Sequence, residues 1–262
     1  MSTFACAIAA TWPEDRRIVL AECDPSGGDL AARFGLTAKQ GMTSLVLESR
    51  RLEPPRSYEL GRHLQRLPGG LDVLVGAVGA TAARTVDDEL PDLVRWAKHS
   101  GPKAEDVADL IFDCGRVQPG ARGQMAAMGA SDHILLVLAP TVESIASTAW
   151  VAERLGRFET GSPSSRTGPT ARLVLSGDGP VKPSEAAKAL GLQVAAVVGR
   201  DRIGAAALRG EPVQRWRLSS CPLIRIAKEV TKSLVSAPAV DIRPPATSWN
   251  EDDELAGAEA GL

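Results

Sequence analysis

The sequence predicts an α/β fold in which a doubly wound, mostly parallel sheet is flanked by helices. Its short apolar runs are rich in Val, Ile and Leu, which is typical of strands buried on both faces. The segments between these runs have helical spacing, which indicates strands alternating with helices. Carboxylates and glycines directly follow two of the runs, at the end of a parallel strand where α/β proteins bind ligands.

The elements follow one another regularly along the chain. An apolar helix begins at Ser2 and Thr3 and is followed by strands predicted over 18–21, 71–75, 110–112, 134–138, 173–175 and 194–198. The predicted helices cover 57–67, 87–99, 142–157, 183–190 and 223–235. A Gly-, Ser- and Pro-rich segment over 157–170 predicts an exposed loop.

The order of these elements predicts one domain over 1–235. Residues 236–262 contain several prolines and the acidic run Glu251-Asp-Asp-Glu254, so we predict a disordered acidic tail. The chain has 262 residues, enough for a sizeable core. Its formal net charge of −2 argues against a nucleic-acid coat.

The cysteine pattern and the chain ends predict a cytoplasmic protein. The four cysteines show no C-x-x-C spacing, so buried thiols are favoured over disulfides or a zinc site. The apolar run at the start is too short to span a membrane and has no basic segment before it. The final residues are acidic, so we expect no membrane anchor of the basic amphipathic kind.

The first candidate site is the segment from Glu22 to Asp29, where Asp24 and a glycine pair follow a predicted strand. Carboxylates at this position can hold Mg²⁺ through water or orient an attacking water. The alternative is a strand-to-helix turn that Asp24 or Asp29 caps.

The second candidate is Asp113 followed by Gly115 at the end of another predicted strand. The Asp would polarise a magnesium-bound water, and the Gly would let a loop approach a terminal phosphate. The alternative is an ordinary strand end with a turn glycine.

Two further segments could contact a nucleotide. Hydroxyls at Ser2 and Thr3 could cap a helix or hold Mg²⁺ beneath a phosphate. The turn that contains Asp178 could line a base pocket, or serve only as a turn.

The basic stretch from Arg200 to Arg217 could contact nucleic-acid phosphates, whereas its interruption by acids favours a solvated face.

In order and spacing these segments resemble the ParA/MinD-like family of deviant Walker A P-loop ATPases, and most closely its actinobacterial MinD-like group. The resemblance implies ATP and Mg²⁺ as cofactors. It also implies a homodimer that positions chromosomes, plasmids, septa or pili through a protein partner or cargo adaptor. The resemblance implies that Mg²⁺ is bound, directly or through water, by Ser2, Glu22, Asp24 and Asp113. Asp24 would orient the attacking water, Asp113 would act through the metal shell, and Thr3 would contact the α-phosphate. Gly115 would let a switch loop approach the terminal phosphate, Asp178 would line the base pocket, and Arg200 and Asp201 would lie in the region that closes over the base.

The sequence departs from this family at its amino end. Residues 1–262 contain neither the family's glycine loop nor its signature lysine, and they lack the first strand, which in this family lies inside the sheet. We therefore expect an N-terminally truncated domain, and we expect that residues 1–262 do not hydrolyse ATP. Two interpretations remain open: a natural start upstream of Met1, or a degenerate scaffold that acts as a non-catalytic interaction module.

Overall fold

The computed structural model describes residues 2–52, 58–99, 109–159, 169–211 and 220–236. Its α-helices are α1 (Ser2–Ala10), α2 (Leu30–Phe34), α3 (Met42–Ser49), α4 (Ala80–His99), α5 (Arg122–Ala130), α6 (Val142–Glu159), α7 (Pro183–Leu190), α8 (Arg202–Ala207) and α9 (Pro222–Val235). Its strands are β1 (Ile18–Glu22), β2 (Gln65–Arg66), β3 (Asp72–Leu74), β4 (Asp109–Asp113), β5 (His133–Leu138), β6 (Thr170–Ser176) and β7 (Gln193–Val198). The predicted α/β class is confirmed.

The strands form two sheets flanked by helices. One sheet has the order β2-β3-β1-β4 and the other the order β5-β6-β7. Every strand pair is parallel except β2 with β3, which are antiparallel. All five residues of β1 are buried, as its continuous apolar sequence requires in a sheet covered on both faces.

A cleft separates the two sheets, with β4 on one side and β5 on the other. In the described ranges, β4 pairs only with β1 and β5 pairs only with β6. The cleft has a volume of about 1590 Å³ and is lined along the full length of both strands. Leu110, Ile111 and Phe112 of β4 are consequently only half-buried, although their sequence is as apolar as that of β1.

Helices α1 and α9 join the two halves of the molecule. A cluster of buried side chains contains Phe4 and Ile8 from α1 and Leu223, Ala227 and Val230 from α9. Partly buried residues of both β4 and β5 pack against this cluster. The halves are therefore connected by side-chain packing where their strands are not hydrogen-bonded to each other.

The predicted helix over 57–67 is wrong, although its leucines have helical spacing. The structure has a 3-10 turn at Leu60–Arg62 and then strand β2. Gln40 Nε2 donates to the carbonyls of Arg62 and Leu64 at 3.0 Å each, and these bonds hold the segment in its non-helical course. Gly69 and Gly70, at φ values of 100° and 95°, then turn the chain back into the β2–β3 hairpin.

Helix α4 begins at Ala80, well before the predicted start at residue 87. Asp87 therefore lies inside the helix, where its carboxylate accepts a hydrogen bond from the backbone N–H of Gln124 at 3.2 Å. Asp87 thus stabilises the beginning of α5 and not the beginning of its own helix.

Some predictions fall outside the described residues: Ser57, the loop residues 160–168, the basic residues Arg215 and Arg217, and the tail from residue 237 onward. Within the described ranges, no helix is both long enough and apolar enough to cross a bilayer. All four cysteines are free thiols, and Cys6, Cys23 and Cys221 are buried.

Candidate functional site

Glu22 and Asp113 are the last residues of two adjacent parallel strands and lie opposite each other in the sheet register. Both are buried, with exposed fractions of 2% and 5%. The sequence therefore brings two predicted site residues to one edge of the sheet, the edge at which parallel α/β folds bind ligands.

The Glu22 carboxylate fastens the loop that follows its strand. Oε1 accepts hydrogen bonds from the backbone N–H groups of Asp29 at 2.8 Å and Leu30 at 3.1 Å, and Oε2 accepts one from Gly76 at 2.8 Å. Burial raises the pKa of Glu22, while these three N–H groups oppose the rise. The carboxylate therefore caps the beginning of α2, and the metal-binding role that the resemblance gives it remains a prediction.

The loop needs a glycine where it passes this carboxylate. A β-carbon placed on Gly28 would lie 2.2 Å from Glu22 Oε2 and 2.8 Å from the α-carbon of Gly76. Asp29 precedes α2 but makes no side-chain cap; its carboxylate forms an ion pair with Arg33. Glu22 thus makes the helix cap that the turn interpretation gave to Asp24 or Asp29.

Asp113 has an unpartnered oxygen. Its Oδ1 accepts a hydrogen bond from the Gly115 backbone N–H at 3.2 Å, whereas Oδ2 is buried and finds no donor in the described part of the chain. A buried carboxylate oxygen without a donor is costly, so it marks a position where another group can donate. Water bound to Mg²⁺ is such a donor, and Asp113 fits that role.

Asp24 lies against the loop that follows Asp113. Asp24 Oδ1 accepts the backbone N–H of Ser26 at 2.7 Å, which closes a tight turn. Gly115 has a φ of 60°, and a β-carbon on it would lie 1.9 Å from Asp24 Oδ2. Gln118 Nε2 also donates to Ser26 Oγ at 2.7 Å. The loops that follow β1 and β4 therefore touch at two points.

Gln124 is a site residue that the sequence interpretation missed. It is fully buried in α5, where Oε1 accepts the backbone N–H of Gln118 at 2.9 Å and Nε2 donates to the carbonyls of Arg116 at 3.0 Å and Cys114. One side chain thus holds three backbone groups of the loop after Asp113. The available signal was its amide side chain, because every other residue of α5 after Arg122 is small or apolar.

The beginning of α1 lies at the same edge of the sheets. Cys6 of α1 belongs to a buried cluster against which Ile111 of β4 packs, and Asp113 lies two residues beyond Ile111 on the same face of its strand. This face of α1 therefore covers the face of the sheet that carries Asp113. Ser2 lies one turn before Cys6 on that face. Thr3 instead lines a second pocket of about 650 Å³, whose lining also includes Arg200 and Asp201.

The remaining predicted nucleotide contacts meet around this second pocket. Asp178 and Arg200, both exposed, form an ion pair at 3.2 Å. Asp201 has a structural role, because Oδ1 accepts the N–H of Gly204 at 2.8 Å and Oδ2 that of Leu223 at 3.0 Å. Arg209 pairs with Glu211, which favours a solvated face for the described part of the basic stretch.

The carboxylates do not make a metal centre on their own. Across the ranges that the structure describes, no three His, Cys, Asp or Glu side chains are grouped so that they could hold a metal ion. A cation at this edge would need ligands of other kinds, such as the Ser2 hydroxyl, water and phosphate oxygens, which is the usual environment of Mg²⁺.

Solved structures share the fold of this chain. It superposes on the septum site-determining protein MinD complexed with Mg-ADP from Pyrococcus horikoshii with a TM-score of 0.64 and 15% identity, covering 90% of each chain. A ParA family ATPase from Chlorobium tepidum gives a TM-score of 0.64 and 16% identity, covering 90% of this chain and 93% of that one. The MinC:MinD cell division complex of Aquifex aeolicus gives 0.59 and 13%, covering 94% and 93%.

No protein-family model and no curated protein sequence matches the chain. At these identities the structural similarity shows the fold, and the arrangement of residues at the carboxyl edge must carry any conclusion about function. The chain has the ParA/MinD-like fold.

Proposed function

We propose that this chain is a ParA/MinD-like positioning protein that responds to ATP and Mg²⁺ bound at the carboxyl edge of its sheets. The observation that supports the proposal best is the unpartnered Asp113 Oδ2, buried at the carboxyl edge on the face of the sheet that α1 covers. An acceptor without a donor next to a helix N-terminus is the environment expected for a phosphate-bound magnesium ion.

Each residue of the site has a separate task in this proposal. Mg²⁺ would neutralise the phosphate charge. Asp113 would accept hydrogen bonds from the metal's water, Ser2 would offer its hydroxyl to the metal, and Thr3 would contact the α-phosphate. Arg200, which lines the second pocket with Thr3, and its ion-pair partner Asp178 would close over the base.

Asp24 couples this site to the rest of the molecule. Its carboxylate touches Gly115, and the Asp24 loop is hydrogen-bonded to the Asp113 loop through Ser26 and Gln118. A group that binds at Asp113 therefore moves both loops together. Such a coupled pair can report the bound state to a second copy of the chain or to a partner protein, which is how we propose that positioning is controlled.

Residues 1–262 supply no glycine-rich cradle for the β- and γ-phosphates, so we propose binding without hydrolysis by these residues. The second candidate function is a non-catalytic interaction module on the same scaffold. It is favoured by the structural roles of Glu22 and Asp201, whose carboxylate oxygens already accept backbone N–H groups.

A titration with a fluorescent ATP analogue, with and without Mg²⁺, tests the proposal. We expect saturable binding that Mg²⁺ strengthens. Asp113→Asn should weaken it by about tenfold or more, because the amide has one accepting oxygen where the carboxylate has two. Asp132→Asn is the matched control, since Asp132 is exposed at the start of β5, at the opposite edge. Folded protein that shows no saturable binding would support the interaction module instead.

A further inference from the structure

Cys23 and Cys114 occupy matching positions beyond the ends of two neighbouring strands. Cys23 directly follows β1, and Cys114 directly follows β4. The last residues of these strands, Glu22 and Asp113, are partners in the parallel register. The backbone N–H of Cys23 donates to the carbonyl of Asp113 at 2.8 Å, so the hydrogen-bonded ladder continues past the last register pair. The two cysteines are therefore the next neighbours along the sheet.

Both cysteine side chains point to the same face of the sheet. Because residues two apart in a strand share a face, Cys23 lies on the face of Ala21. Cys114 lies in the same way on the face of Phe112, and Phe112 is the register partner of Ala21. All four side chains belong to, or pack against, one buried cluster. The two thiols therefore enter the same side of the core.

This arrangement meets the distance requirement of a disulfide. Neighbouring strands lie about 4.7–4.9 Å apart, and disulfides join residues whose α-carbons are about 4.4–6.8 Å apart. Cys23 Sγ donates only weakly, to the carbonyl of Ala21 at 3.6 Å, so a disulfide would replace no strong hydrogen bond there. The backbone thus needs no large movement to bring the two sulfur atoms together.

The pair lies at the base of the two loops that contain Asp24 and Gly115. Asp24 directly follows Cys23, and Gly115 directly follows Cys114. The loops already touch, since a β-carbon on Gly115 would collide with the Asp24 carboxylate. Cys23 is 4% exposed and Cys114 is half-buried, so a small oxidant reaches Cys114 first. Cys23 is then placed to attack the modified sulfur.

We propose that Cys23 and Cys114 are a reversible oxidation site, at which a small disulfide such as oxidised glutathione links the two loops by a covalent bond. The Cys114 sulfur attacks the glutathione disulfide and releases the first glutathione thiol. The Cys23 sulfur then attacks the mixed disulfide at Cys114 and releases the second. Two protein S–H bonds and one glutathione S–S bond break, while one protein S–S bond and two glutathione S–H bonds form. Excess reduced glutathione reverses both steps.

The bond would hold Asp24 close to Asp113. Each carboxylate is on the residue next to a bonded cysteine, so neither loop could move without the other. The oxidation itself needs no nucleotide; only its consequence, loops that no longer respond to bound ATP, rests on the proposed function. Crosslinking and nucleotide binding are therefore measured separately, and either can fail without the other.

Peptide mapping of the full chain by mass spectrometry, without reduction, tests the proposal after incubation in glutathione buffers. Burial raises the pKa of Cys23 and raises that of Cys114 to about 12, so the slow reaction is run at about pH 9 until its products stop changing. We expect a crosslink between Cys23 and Cys114 in most chains. Doubling the reduced glutathione should raise the ratio of reduced to crosslinked chain about fourfold, because each crosslink releases two thiols.

Single substitutions separate the two steps. Cys23→Ser should stop the reaction at a glutathione adduct on Cys114, and Cys114→Ser should leave the buried Cys23 reduced. Cys221→Ser is the matched control, since it removes a buried thiol just before α9 and should leave the crosslink unchanged. In the crosslinked chain, amide exchange should be about tenfold slower over 24–29 and 114–118, and unchanged in β7.

Three results would overturn the proposal. A glutathione adduct at Cys114 that never proceeds to the crosslink in the unsubstituted chain would mean that Cys23 is out of reach. Crosslinking only in urea would mean that the folded core excludes the reaction. Crosslinks between chains that increase with protein concentration would identify a second copy as the partner of Cys114.

Discussion

The backbone of Gly115 lies directly against the carboxylate of Asp24, and a β-carbon on that glycine would be 1.9 Å from Asp24 Oδ2. Gly115→Ala should therefore push the two loops apart as well as strain a residue whose φ is 60°. We expect a loss of about 2–3 kcal/mol in the free energy of unfolding, measured by urea denaturation.

Gly120→Ala is the matched control for this substitution. Gly120 has a φ of 80°, yet nothing lies within 4 Å of a β-carbon placed there, so its loss should be only about 1 kcal/mol. Combining Gly115→Ala with Asp24→Gly should recover part of the difference, because the clashing carboxylate is gone. Equal losses at Gly115 and Gly120 would show that the contact with Asp24 has no energetic weight.

Glu22→Gln should destabilise the protein although the two side chains have the same shape. The amide can still accept with one oxygen, but its NH₂ group would face the backbone N–H of Gly76 or those of Asp29 and Leu30. We expect a loss of about 2–4 kcal/mol by urea denaturation. Glu143→Gln, at an exposed position of α6, should change stability little, and similar losses in the two variants would refute the capping role of Glu22.

Cys6 predicts how stability changes at alkaline pH. Burial, reinforced by the charge of Asp113, raises the pKa of Cys6 from its ordinary 9.0 to about 12. Between these values the unfolded chain has lost the thiol proton and the native state keeps it, so the free energy of unfolding falls as pH rises from 9.0 to about 12. Cys6→Ala should make this decline shallower in urea titrations, and an unchanged slope would contradict the prediction.

Arg200→Ala tests whether the second pocket holds the base. The Arg200–Asp178 pair is exposed, so its loss should change stability by less than about 0.5 kcal/mol. In competition titrations we expect affinity for ATP to fall by about fivefold to tenfold while that for inorganic triphosphate stays constant. Lys188→Ala on exposed α7 is the control, and equal weakening of both ligands by Arg200→Ala would place Arg200 at the phosphates.

Most strands were predictable because each one is a continuous apolar run. The sequence of β1 is buried at all five positions, and local hydrophobicity alone locates such a segment. The hairpin around Leu64 was not predictable in this way. Its conformation is held in part by Gln40, which is distant in sequence and donates to the carbonyls of Arg62 and Leu64, so the leucine spacing alone favoured the wrong period.

The sequence indicated which residues lie at the candidate site better than it indicated what each side chain does there. Asp113 and Gly115 could be located because they follow a strand, and the resemblance added Ser2 and Thr3. The sequence could not show that the Glu22 carboxylate is already occupied, because its donors come from two separate loops. Gln124 was missed for the same reason, because its role is to hydrogen-bond three backbone groups that only folding brings together.

The division of the strands into two sheets also bears on cooperativity. Backbone ladders transmit rigidity within each half, but between β4 and β5 the described chain relies on α1 and α9 packed across both. Replacing Phe4 or Ile8 with alanine should then weaken the packing between the two halves, so that they unfold at different temperatures. Calorimetry would record this as a broadened or split heat-absorption peak, a behaviour that a single continuous sheet would suppress.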